Sequence, residues 1–376
     1  MLLEPSSEQE LFQSQVAKFL DAHASVAALR GLRDDPAGFD PEYWRRGAEL
    51  GWTALLVDER DGGVSVSDRG LVDLSLVAYE FGRHAAPGPL ATTNVVAGAL
   101  SAAGGDPALL AALLSGASIA AWCFCEAPPH DAPLDLAFEI EADGDELVLR
   151  GEKRPVESAD RASHLLVTGR SAAGLTQVVV PAATSGVTIT PLRGVDLTRR
   201  FCAVRFDAVR VPASCLLGEL GQAAAAVERQ LQQALVIETA AAVGAMQRAF
   251  DLTVEWAFDR YSFGRPLASY QALKHRFAHM ATWLQASYAI SDEAARGVSE
   301  ASADAAELAS AAKAYVGQYG AELLQECVQL HGGIGVTFEH DLHLFLRRVT
   351  LARALFGTPD AHHKRLAELV AKRAES

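Results

Sequence analysis

Hydrophobic spacing changes twice along this chain. Up to about residue 116 it follows a helical period. In SEQELFQSQVAKFLDAH, Leu11, Val16, Phe19 and Leu20 fall close to one stripe. PEYWRRGAELGW opens with Pro41, which suits a first helical turn. DGG at 61–63 marks a turn, and DRGLVDLSLVAYEFGRH predicts another helix with Leu71, Leu74 and Val77 roughly aligned. GDPALLAALLSG predicts a short one, closed by Gly116.

From 117 the segments become short and β-branched, and Gly, Asp and Pro separate them. ASIAAWCFCE, FEIEADGDELVLRGEKR, SHLLVTGR, TQVVVP, VTIT and CAVRFDAVRVP predict an antiparallel sheet, with a hairpin turn at ADGDE. After about 222 the helical period returns. AAAAVERQLQQALVIETAAAVGAMQRAFDLTVEWAFDRYSFG is Ala-rich and apolar on both sides, as a helix buried within a bundle must be. Gly264 and Pro266 end it. SYQALKHRFAHMATWLQASYAISDEAARG, SADAAELASAAKAYVGQYGAELLQECVQLHGG and HDLHLFLRRVTLARALFG predict three more helices. The expected organisation is therefore α+β and multidomain. It comprises an N-terminal helical domain (1–116), a middle antiparallel β domain (117–222) and a C-terminal four-helix bundle (223–376).

Composition refines this picture only a little. A chain of 376 residues has room for two or three domains. The net charge of -14 argues against non-specific nucleic-acid binding, which needs a basic face. Cys123, Cys125, Cys202, Cys215 and Cys327 are odd in number and match no zinc spacing, so reduced core thiols are expected, with CFC on one strand face. There is no charged start followed by an apolar core, and no apolar run of about 20 residues. The expected location is cytoplasmic, with no nucleic-acid, membrane or metal partner.

Two segments carry candidate chemistry. In DRYSFGRPLASYQALKHRFAHM, Arg260 stands near a helix end and Phe263–Gly264 form a turn. A guanidinium there either caps the helix or binds a pyrophosphate bidentately, and Phe263 is either core or a flat surface for an aromatic ring. QLHGGIG follows a long helix, where paired glycines either stop the helix or let the backbone approach a ligand.

Together these segments resemble the acyl-CoA dehydrogenase family. The family's R-x-x-F-G-(K/R)-P, Gln and A-x-M appear as Arg260, Phe263, Gly264, Arg265, Pro266, Gln271, Ala278 and Met280. Its Q-x-x-G-G-x-G appears as Gln329, Gly332, Gly333 and Gly335. VRVPASCLLGE, AELGWTALLVDERDGG and LVAYEFGRH are similar to further family segments, so the resemblance spans nearly the whole chain. It implies bound FAD and an acyl-CoA substrate. A carboxylate takes the α-proton, the β-hydrogen leaves as hydride to the flavin, and a trans-2-enoyl-CoA results. It also implies a tetramer in which Arg260, Phe263, Gln271, Gln329, Gly332 and Gly333 reach the ADP half of a neighbour's FAD, joined by Thr358.

The same resemblance exposes departures. The usual base precedes Gly-Thr, where this chain has Phe356. The alternative base position, counted back from Gly244, Met246 and Arg260, is Ala234, followed by Leu235. Glu238 lies one turn further on, in an apolar stripe with Leu231, Leu235 and Ala242, where a carboxylate is either paired or held protonated. It is the candidate catalytic base within this chain. The family's T-E-P-x-x-G-S-D loop survives only as Glu126 and Pro128. In GEKRPVES, Gly151, Lys153 and Val156 fit G-x-K-x-W-I-T, but Pro155 and Glu157 replace Trp and Thr. An anionic Glu157 beside a flavin disfavours its reduced anion. An intact ADP-half set beside an altered flavin half resembles one subunit of the heteromeric, α2β2 actinobacterial-type acyl-CoA dehydrogenases, which act on sterol side chains. The alternatives are a complete homomeric enzyme using Glu238, a flavin monooxygenase of the same fold, and a non-catalytic stabilising subunit.

Overall fold

The computed structural model describes residues 5–32, 38–127 and 134–375. Helices open the chain: α1 (Ser7–His23), α2 (Val26–Gly31), α3 (Pro41–Ala48), α4 (Gly70–Arg83), α5 (Leu90–Ala103) and α6 (Pro107–Leu114). Ser6 caps α1 with Gln9 in a reciprocal box, and Asp40 caps α3 ahead of Pro41. The helical pattern had given no sign of α5. Residues 90–101 of that helix are all buried, so it has no polar face to set a period.

The strands are β1 (Ala120–Cys123), β2 (Glu139–Asp143), β3 (Glu146–Glu157), β4 (His164–Ser171), β5 (Gly174–Pro181), β6 (Val187–Leu192), β7 (Phe201–Pro212) and β8 (Leu216–Leu217). Their order is β6-β7-β3-β2-β4-β5-β8, with β1 beside β4. Most neighbours are antiparallel, including the β2–β3 hairpin closed where Asp143 faces Glu146. The sheet is nevertheless mixed. β1 runs parallel to β4, with Ala120 opposite His164, and β2 meets β4 in parallel at Glu139 and Arg170. A parallel pair needs a long connection, and the β2–β3 hairpin lies within the one joining β1 to β4.

β1 is the hinge between two cores. Ala121 and Cys123 pack into the sheet's own core, while Ala120, Trp122 and Phe124 turn toward the helices. Cys123 and Cys125 therefore do not share a face. Cys125 lies beyond the strand and packs against the helical core. Both thiols are free, and burial pushes Cys123 up to about 12.

The C-terminal helices are α7 (Ala224–Asp259), α8 (Gln271–Ser299), α9 (Ala305–His331), α10 (Leu342–Ala354) and α11 (Pro359–Glu375). The last of these adds to the four expected. Between α7 and α8 a short hairpin, β9 (Tyr261–Ser262) and β10 (Arg265–Pro266), projects from the end of the bundle. α4 crosses α7 where both carry glycine. A Cβ on Gly82 would stand 1.7 Å from the Ala241 carbonyl oxygen, and one on Gly244 would stand 1.9 Å from that of Tyr79. No helix among the described residues is long and apolar enough to cross a membrane.

Candidate functional site

Six of the seven expected cofactor-binding residues gather at one end of the bundle. α7 stops at Asp259, and Arg260 is its C-cap. The turn that follows has φ of +49° at Phe263 and +80° at Gly264, positive at both central positions as a tight hairpin needs. Phe263 is 97% exposed, so nothing among the described residues repays its left-handed backbone or its bare ring. Gln271 begins α8 directly behind the hairpin, where Tyr270 donates its hydroxyl to the Ser262 carbonyl at 2.6 Å.

Trp256 joins this hairpin to the glycine segment. The Arg260 guanidinium lies 5.9 Å from the Trp256 ring, against which His331 also stacks at 5.4 Å. His331 is the last residue of α9, immediately before Gly332 and Gly333, and Gln329 sits on the same final turn. Gly332 has φ of +65° and ψ of -141°, a conformation reserved for glycine, and a Cβ at either glycine would meet only open space. Arg260 has no acidic partner among the described residues. A free guanidinium, a bare aromatic ring and an uncovered glycine backbone on one surface suit an anionic, aromatic ligand such as the ADP half of FAD. Thr358 stands apart. It accepts from the Ala361 N–H at 3.3 Å at the start of α11, and the adjoining Pro359 packs on Gly317. Gly317 is 12 residues from Gln329 along α9, roughly 18 Å.

At the junction of sheet and bundle the expectations meet a different chemistry. Glu238 is not free. Arg199, on the loop between β6 and β7, donates from Nη1 and Nη2 to both its carboxylate oxygens at 2.8 Å. The same guanidinium donates to Glu157 at 2.6 Å from Nε and 2.8 Å from Nη2. All three side chains are buried. Burial raises the Glu157 carboxyl above its usual range, because Arg199 offsets only part of the cost. At Glu238 burial also pushes upward, but Arg199, with help from Lys313, wins and lowers it. Glu238 is thus a shared, ionised partner, not a protonated or waiting one. Glu157 is likewise matched by a cation. The Glu157 carboxyl, which the sequence alone left unpaired, shares the guanidinium of a residue 42 positions away with Glu238.

A second guanidinium on the same face reinforces this. Arg348 of α10 donates to Asp196 at 2.7 Å and to the carbonyls of Phe81, Ala85 and Ala86 at 3.2, 3.2 and 2.9 Å. It thereby joins the N-terminal helices, the sheet loop and the bundle. Glu126 and Lys153, quoted above from two separate family segments, form a buried pair at 2.6 Å. Pro128 lies outside the described residues.

Neither usual base position carries a carboxylate. Ala234 and Leu235 are buried in α7. Phe356 holds φ of +57°, and its ring packs 5.5 Å from Trp122 and 6.4 Å from Phe124, themselves stacked at 4.6 Å. The Phe356 carbonyl accepts from His362 at 3.0 Å, and burial lowers that imidazole to about 4, so it is neutral. Lys313, fully buried nearby, donates to the Ala352 carbonyl, and burial lowers it to about 8. Residues at this end supply aromatic packing and internal ion pairs. The residues that suit the ADP half of FAD are those of the hairpin end.

Residues 6–116 match the acyl-CoA dehydrogenase N-terminal domain, and residues 221–371 match the acyl-CoA dehydrogenase C-terminal domain. Acyl-CoA dehydrogenase IpdE2 of Mycolicibacterium smegmatis is 29% identical over 363 residues, covering 96% of this chain and 98% of that protein. Among solved structures, the Tcur3481-Tcur3483 steroid ACAD superposes with a TM-score of 0.89 at 26% identity, over 98% of this chain and 99% of that one. Glutaryl-CoA dehydrogenase from Mycobacterium smegmatis, in complex with FADH2, shares the fold with a TM-score of 0.86 at 19% identity, over 97% and 95% of the two chains.

Proposed function

The chain belongs to the acyl-CoA dehydrogenase family, whose members are FAD-dependent oxidoreductases of acyl-CoA thioesters, and from that premise we propose that it is one subunit of a heteromeric acyl-CoA dehydrogenase. A related subunit supplies the catalytic carboxylate. Bound FAD supplies the hydride acceptor. This chain contributes Arg260, Phe263, Gln271, Gln329, Gly332 and Gly333 to the ADP half of a cofactor lodged mainly in the partner. Arg260 pairs with the pyrophosphate, and Phe263 packs on the partner or the cofactor. Thr358 contacts FAD only if a different protomer brings it there. The observation that carries this reading is the contrast between the two ends. The hairpin end is open and cationic, whereas at the Phe356 end neither usual base position carries a carboxylate and the acidic groups beside it, Glu157 and Glu238, are both tied to Arg199.

On this reading Glu238 holds the sheet loop to the bundle through Arg199 and takes no proton from substrate. The bidentate Arg199 contact supports that role over the homomeric one, because a base must be able to release its cation and receive a proton. A bulky polycyclic acyl group is the proposed substrate class, in line with the steroid ACAD that this chain resembles.

Dye-linked acyl-CoA oxidation by the lone chain, by lone Phe356→Glu and by the chain mixed with its partner tests the proposal. Only the mixed pair should turn over and retain flavin. Phe356→Glu should not rescue the lone chain, because Glu157, Arg199 and the Trp122–Phe124 stack still occupy that end. Robust turnover by the unmodified lone chain would return Glu238 to the catalytic role and end the heteromer reading.

A further inference from the structure

A cavity of about 520 Å³ lies between α1, α4, α7 and α8, away from both the hairpin end and the Phe356 cluster. Its size is that of a site for a small organic molecule. α8 faces it with Tyr288, Ser291, Asp292 and Ala295, which share one helical face at positions i, i+3, i+4 and i+7. That face points into the protein, where an amphipathic helix normally places apolar residues. One turn earlier, Ser287 is fully buried and its hydroxyl has no partner.

The charged groups around the cavity have hydrogen-bond or ion-pair partners, with one exception. Arg69, at the rim, pairs with Glu300 at 3.3 Å. Asp73, behind the wall, accepts from Gln9, Ser65 and Ser67. Glu80 accepts from Gln13. Asp292 has no hydrogen-bond or ion-pair partner among the described residues, although it lines the cavity and is partly buried. Burial raises its carboxyl to about 6, so it is mostly ionised at neutral pH and lacks a counter-charge.

The remaining wall narrows the ligand class. Tyr79 and Tyr288, hydrogen-bonded to each other through their hydroxyls, place two aromatic rings at the cavity, where a cation gains from a ring face. Val72, Leu76 and Val243 form the apolar side. An anion would meet Asp292 unfavourably, and a purely apolar molecule would leave its charge unmatched. We infer that this cavity binds a small amphipathic ammonium, its cation on Asp292 and its hydrocarbon against Val72, Leu76 and Val243. The inference does not depend on the subunit role proposed above.

Titration calorimetry of the full chain with hexylammonium chloride tests it, with hexanol and sodium hexanoate as controls. One hexylammonium should bind per chain, and each control should bind at least tenfold more weakly. Asp292→Asn, which keeps the shape and removes the charge, should weaken hexylammonium at least tenfold while melting within a degree or two of wild type. Val243→Phe, which fills the apolar side, should abolish binding. Equal binding of hexanol and hexylammonium, unchanged affinity in Asp292→Asn, or displacement of hexylammonium by an acyl-CoA would each overturn the assignment.

Discussion

Replacing Arg199 by methionine removes one cation from between two buried carboxylates. The guanidinium makes four hydrogen bonds of 2.6–2.8 Å, two to Glu157 and two to Glu238. The side chains are only 8%, 7% and 3% exposed, so water cannot take over its role. Breaking a buried pair by removing one partner costs about 3–5 kcal/mol, because the remaining charge stays desolvated. Glu157, already raised, takes up a proton in the variant and keeps the loss near the lower end of that range. For 376 residues melting together, the unfolding entropy is roughly 0.8 kcal/mol/K, so the expected fall in Tm is about 4–5 °C. Circular dichroism melts of Arg199→Met, of Glu238→Gln, and of the triple variant Arg199→Met, Glu157→Leu, Glu238→Leu separate the contributions. Glu238→Gln should lose less than Arg199→Met, since Arg199 keeps Glu157 and Lys313 gives up its proton more readily once Glu238 is neutral. The triple variant should regain at least half of the loss, as a well-packed apolar replacement of a buried ion triad does. A melting point for Arg199→Met within 1 °C of wild type would refute the clamp. A triple variant less stable than the single one would refute the charge argument behind it.

Other perturbations address the remaining regions. Arg260→Ala in the assembled enzyme should weaken FAD retention about tenfold or more, the value of one charge-assisted contact at 1.5–3 kcal/mol, read by flavin fluorescence at limiting FAD; equal retention would remove Arg260 from the cofactor site. Lys313 is held at about 8 in the fold against an ordinary value near 10.5, so the unfolded chain binds the extra proton between those limits, and this residue makes stability rise as pH climbs from 8. Lys313→Met should therefore be more stable than wild type at pH 7 and should narrow that lead by pH 9, by denaturant titration at both pH values. Gly82→Ala should cost about 3 kcal/mol or prevent folding, because the new methyl falls on the Ala241 carbonyl at the α4–α7 crossing; wild-type stability would mean that the two helices separate freely.

The division between sequence and fold can be traced through single residues. Hydrophobic spacing was enough for the helix–sheet–helix order, because the period of apolar positions is a local property of the chain. It failed for α5, whose burial on every side erases the period. The hairpin at Phe263 and Gly264 and the glycines after α9 were legible because their chemistry needs particular residue types in an unbroken run. The loss of a carboxylate at Phe356 and Ala234 was legible for the same reason. The state of Glu238 was not. Its partner Arg199 is 39 positions away, in a loop with no marked local signal, and only the packing of the sheet against α7 makes the pair. Arg348 reaches Phe81 across 267 positions, and Asp292, with no partner among the described residues, lines a cavity left between four helices. Sequence alone sets local period and residue type. Tertiary structure decides which charges meet, because electrostatic energy depends on distance through space and on exclusion of water, neither of which is written in the order of the residues.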